Sequence, residues 1–99
     1  MITVHMGLNT TPAWVNEEEV VARWEARNNP EGAAAWREEA KYAKQLRNQI
    51  EDFVEQYGEV ALNWSCMGAT LFNMLAYQWA KAMPEYHFEI GRYKCIVTK

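Results

Sequence analysis

Between Asn29-Pro30 and Gly58 the chain carries an unbroken helical signature that takes up more than a quarter of its 99 residues. Asn29 offers a side-chain oxygen at the N-cap, and Pro30 suits the first helical position, where its missing N–H is no loss. Gly58 can adopt the left-handed backbone that ends a helix. Trp36, Ala40, Ala43, Leu46, Ile50, Phe53, Val54 and Tyr57 fall on one arc at helical spacing. Arg37, Lys41, Lys44, Asn48, Asp52 and Glu55 take the other side. A helix patterned this way must bury one face, so the rest of the chain has to supply a partner layer.

The flanking segments provide candidates for that layer. Residues 2–6 (ITVHM) alternate apolar and polar side chains as a short strand does, and Asn9-Thr10-Thr11-Pro12 then breaks the pattern. Asn16 and Glu19 are spaced as a capping box, with Val15 and Val20 placed for a hydrophobic staple. They open a first helix to about Arg27 with Val20, Val21 and Trp24 facing inward, and Glu17, Glu18 and Glu19 suit its positive end. After Gly58, residues 60–64 read as a short strand or an extended connector. Ser65 then caps a third helix over 66–83, apolar except for a stripe of Thr70, Asn73, Tyr77 and Lys81 and stopped by Pro84. Residues 86–90 and 93–98 alternate like two strands joined by a tight turn at Gly91-Arg92. The expected class is α+β, in one domain over 1–99. Three helices, the long one over about 30–57, pack on a small, mostly antiparallel sheet made by the N-terminal strand and a C-terminal hairpin.

Residues 60–80 form a run of 21 without a charge, which is long enough to span a bilayer. Asn63, Ser65, Thr70, Asn73 and Gln78 interrupt it, and its flanks show no strong Lys/Arg asymmetry, so a buried helix is the expectation and a membrane span is not. Residues 1–8 lack the basic and apolar regions of a secretory signal, and two cysteines do not make a disulfide scaffold. The expected compartment is the cytoplasm, that of the host if the source is a virus.

Thirteen acidic against ten basic residues leave a net charge of −3, which argues against a general nucleic-acid binder. The one net-basic segment, from Pro84 onward, has three bases and two acids, an excess too thin for direct nucleic-acid binding. No Gly-rich loop or Walker-type lysine supports phosphate chemistry. Cys66, Cys95, His5 and His87 satisfy the ligand arithmetic of a zinc centre but not its close paired spacing, so no metal and no other cofactor is expected. Cys66 is the best enzymatic candidate. In the first turn of a helix its thiol would be driven toward thiolate, with His87 on a later strand, or else His5, as base. A helix-start cysteine with a histidine on a following strand resembles the arrangement of papain-like hydrolases. No local family signature surrounds Cys66, and the 21-residue gap to His87 is short for that arrangement. The alternative function is thus a cysteine-dependent hydrolase or transferase using Cys66 with His87.

Glu51, Asp52 and Glu55, followed by Glu59, gather at the carbonyl end of the long helix, where the dipole disfavours negative charge. An acidic patch held against local electrostatics points to a basic partner. Five tryptophans accompany it, of which Trp24, Trp36 and Trp79 fit core positions, whereas Trp14 and Trp64 lie outside regular helix and are the expected contact residues. The reading that follows is a small acidic, non-enzymatic protein that binds and inhibits or modulates another macromolecule. Short acidic domains of this kind are common among inhibitors of host machinery encoded by viruses and mobile elements, including anti-restriction and anti-CRISPR proteins, an analogy of size and charge only. Gly68, Ala69, Ala76 and Ala80 would also let the third helix meet a second copy closely.

Overall fold

The computed structural model describes residues 1–65 and 67–99. Among them the element order is β1 (Thr3–Met6), α1 (Glu17–Ala26), α2 (Pro30–Tyr57), β2 (Glu59–Trp64), α3 (Ala69–Ala82), β3 (His87–Ile90) and β4 (Cys95–Thr98). The four strands form one mixed sheet in the order β1-β2-β4-β3. The first pairing is parallel, with Val4 beside Leu62 and Met6 beside Trp64, and the other two are antiparallel. The class is α+β, three helices against a sheet that holds the N-terminal strand and the C-terminal hairpin. Residues 60–64, which fit a strand or a connector in sequence, belong to β2, one of the two central strands of the sheet.

The two asparagines between α1 and α2 build a tight corner. Asn28 has φ 55°, its N–H donates to Glu25 O (3.0 Å), and the N–H of Asn29 donates to Trp24 O (3.0 Å). This pair of hydrogen bonds from the residues after the helix back into its last turn ends α1. Asn29 Oδ1 then accepts from Gly32 N at 2.9 Å and starts α2. A side chain at Gly32 would put its Cβ 2.6 Å from the Trp24 ring, so α1 and α2 pack closely only because this residue is glycine. The other end of α2 stops at Gly58, φ 82°, whose N–H donates to Val54 O. With a rise of about 1.5 Å per residue the helix is about 42 Å long. That length accounts for the longest dimension of the molecule, 45 Å.

Alternation along the strands puts Val4, Met6, Val60, Leu62, Trp64, Cys95 and Val97 on the helix-covered face, all buried. Ile50 of α2 and Phe72 and Trp79 of α3 fill the space opposite. Thr3, His5, Glu59 and His87 lie on the other face. The charge-free run at 60–80 thus divides between a central strand and a core helix, and among the described residues no helix is long and apolar enough to cross a membrane.

Three expectations are corrected. Asn16 precedes α1, but its side chain makes no capping bond, Glu19 pairs with Arg23 instead (3.1 Å), and Val15 is exposed, so neither the box nor the staple forms. The third helix begins at Ala69 after an extended Gly68, not at 66, and Ser65 is not its cap. The hairpin loop spans four residues, 91–94, closed by Gly91 N donating to Lys94 O, because Ile90 pairs with Cys95.

Candidate functional site

Among the described residues Glu17, Glu18, Glu19 and Glu51 lie in ion pairs, and the other acids do not, Glu25, Glu31, Glu38, Glu39 and Glu89 included. At the start of α1, Glu17 accepts from Arg37 (2.9 Å) and lies 3.5 Å from Lys44, and Glu18 also accepts from Arg37 (3.1 Å). The Arg37 hydrogen bond, and then its charge, hold the Glu18 carboxyl below the ordinary range. At the far end of α2 only Glu51 has a cation, Arg47, whose Nε lies 3.4 Å from Oε1 without hydrogen-bonding geometry. Asp52, Glu55, Glu59 and Glu85 make no ion pair among the described residues.

Helical spacing brings Glu51, Asp52 and Glu55 onto neighbouring turns, with exposed Tyr57 and half-buried Phe53 beside them, ring centroids 6.2 Å apart. A shallow hollow of about 500 Å³ runs between Asp52, Phe53 and Glu55. Sequence reasoning did not include Glu85 and Tyr86, which arrive from the turn after α3. The Tyr86 hydroxyl is shifted up first by burial and then by the carboxylates of Glu51, Glu85, Glu55 and Asp52, which lie within electrostatic range of it. Lys99 Nζ, 5.6 Å from the Tyr86 ring centre, sets one cation at the margin of this face. Glu59 stands apart. It lies on the uncovered side of the sheet, in register with Thr98, and borders a separate hollow with Met1, Ile2 and Tyr57.

The two tryptophans expected at the surface are placed differently. Trp64 is 2% exposed and packs edge-on against Phe72 at 5.3 Å, so it is a core residue and no contact for a partner. Its position on β2 alternates with Leu62 and Val60, and that alternation is the signal that could have found it. Trp14 is half-buried, edge-on to Trp79 at 5.1 Å and under the Arg47 guanidinium at 5.0 Å. Of the three tryptophans expected in the core, Trp79 is fully buried while Trp24 and Trp36 are only partly so. Ala76 is fully buried too, so the small-residue stripe of α3 does not form a surface, and Thr70, Met74, Tyr77, Gln78 and Lys81 are the exposed residues there.

Cys66 lies outside the described residues. His87 is exposed on β3, level with Thr98 and through it with Glu59 at the start of β2, whereas Ser65 follows the opposite end of that strand. Cys95 is buried on the covered face, where burial pushes its thiol up to about 12. His5 and His87 are on the uncovered face. Among the described residues no three His, Cys, Asp or Glu side chains gather as a metal site would require.

Fold and surface together define a two-layer α+β domain with one acidic, aromatic-flanked helix end. No protein-family model, no characterised protein and no solved structure matches the chain.

Proposed function

We propose that this chain is a small acidic, non-enzymatic protein that binds a macromolecule with a basic surface, and inhibits or modulates it, through the C-terminal end of α2. The observation that carries the reading is the gathering of acids from two segments, Glu51, Asp52 and Glu55 of α2 with Glu85 from the turn after α3, within electrostatic range of Tyr86. Only Glu51 of this group has a cation beside it, Arg47, among the described residues. Asp52, Glu55 and Glu85 share their unpaired state with Glu25, Glu31, Glu38, Glu39 and Glu89 among the described residues, but only here do such acids converge on aromatic rings. Carboxylates around Phe53 and Tyr57 suit a Lys/Arg-rich surface of the kind that holds nucleic acid, since guanidinium groups pair with carboxylates and also pack on aromatic faces. Trp14 borders the candidate set through Arg47, which lies over its ring and beside Glu51, Glu59 stands apart from it, and Trp64, a buried residue, drops out. The link to viral or mobile-element inhibitors of host defence remains part of this proposal.

The test is affinity capture from the source cell, followed by the same capture with Glu51, Asp52, Glu55 and Glu59 reversed to Lys. Reversal is expected to lower affinity by about tenfold or more and to flatten its dependence on salt. A partner held with unchanged affinity by the reversed protein overturns the reading.

A further inference from the structure

A second site shares no residue with the acidic face. The segment between β1 and α1, Trp36 of α2 and the last turns of α3 border an open cleft of about 510 Å³. That is within the span of small-ligand pockets, about 300–1,000 Å³. Its walls are apolar where Pro12, Ala13, Val15 and Trp36 line it, and Val15 stays 62% exposed, with none of the described residues covering it. The wall is also fixed in place. Thr10 Oγ1 donates to Gly7 O at 2.7 Å, Trp79 Nε1 donates to Thr10 O at 3.1 Å, and Val15 N donates to Pro12 O at 3.2 Å. A preformed wall spares a ligand the cost of ordering it.

The cleft is lined by one cation and no carboxylate, its remaining polar side chains, Thr11, Asn16 and Gln78, being able both to donate and to accept. Lys81 is the one formal charge among the lining residues and makes no ion pair among the described residues. Asn16, also in the lining, leaves the first N–H groups of the ten-residue α1 without a side-chain cap. The Trp36 indole Nε1–H is a buried donor with no acceptor among the described residues. Each of these groups favours an anion or an acceptor oxygen, and a cationic ligand would meet Lys81. From this match of an apolar wall with a lone cation and no carboxylate in the lining, we infer that the cleft binds a small aromatic carboxylate, its ring against Trp36 and Val15 and its carboxylate toward Lys81.

The experiment uses 15N-labelled protein, with 4-phenylbutyrate as probe and 4-phenylbutanamide as its uncharged counterpart. The Trp36 indole N–H signal is assigned by its loss in Trp36→Phe. The carboxylate is expected to shift that signal saturably, the amide to bind about tenfold more weakly, and Lys81→Gln to erase the difference between them. No shift of the Trp36 signal up to the solubility limit, equal binding of the two probes, a difference that survives in Lys81→Gln, or shifts confined to the acidic end of α2 would each overturn the inference.

Discussion

Cys95 lies between Leu62 and Ile90 on the covered face of the sheet and is 0% exposed, so its thiol is a core group. Burial raises its pKa from 9.0 to about 12, which means the unfolded chain loses this proton at a lower pH than the native protein does. The stability contributed by the protonated thiol is complete below pH 9.0 and is lost as pH rises through about 12. Within that window the slope is about 1.4 kcal/mol per pH unit. In a Cys66→Ser background, urea unfolding at several pH values across the window should show this loss, and Cys95→Ala should flatten it. A thiol reagent at neutral pH should leave native Cys66→Ser protein unmodified, and rapid modification would contradict the burial. Trp79 is the larger anchor, fully buried and bonded to Thr10 O. Trp79→Phe keeps an aromatic ring but leaves that carbonyl without its donor, a cost of about 1–3 kcal/mol, read as a fall in Tm of about 4–8 °C per kcal/mol.

The elements differ in how locally they are determined. Asn29 and Asn16 both stand before helices, yet only Asn29 bonds the first turn of its own. Asn29→Ala should therefore cost about 1 kcal/mol in a urea titration, and Asn16→Ala should stay within about 0.5 kcal/mol. Equal losses at the two sites would show that side-chain capping is not what separates them. The same locality explains what was legible beforehand. The bounds of α2 follow from residues inside or beside it, namely Asn29, Pro30, Gly58 and the spacing of Ala40, Ala43, Leu46, Ile50 and Val54, so its sequence predicts it to the residue. The start of α3 depends on a distant partner. Met6 of β1 pairs with Trp64, β2 therefore runs through Trp64, and the chain reaches helical geometry only at Ala69, past the attractive cap at Ser65. Tyr93 likewise fits a strand pattern, but it lies in the loop, its ring edge-on to Phe72 at 6.3 Å, a contact between residues 21 positions apart.

At the scale of the whole molecule, both candidate sites are assembled from segments that the sequence keeps apart. Glu51, Asp52 and Glu55 are visible as a cluster because one helix holds them, whereas Glu85 and Tyr86 join only through the packing of α2 against the sheet and its connections. The cleft at Trp36 takes its lining from three segments, and no single stretch carries its pattern. The same architecture fixes where the fold opens first. β2 and β4 each lie between two strands, and Val60, Cys95 and Val97 on them are 0% exposed. α1 has one buried residue, Val21, and packs mainly on α2, helped by the exposed pairs of Arg37 with Glu17 and Glu18. Opening α1 exposes little apolar surface, while opening β2 or β4 breaks the core on both sides. Amides of α1 are therefore expected to exchange with solvent at least about 100-fold faster than those of β2 and β4 under native conditions. Added salt should widen the gap by screening the Arg37 and Lys44 pairs and speeding α1 alone, because the strands owe their protection to buried apolar contacts. Equal protection of α1 and the central strands, or a salt effect spread evenly over both, would mean that the molecule unfolds as one unit and that the charged corner contributes nothing to holding α1 down.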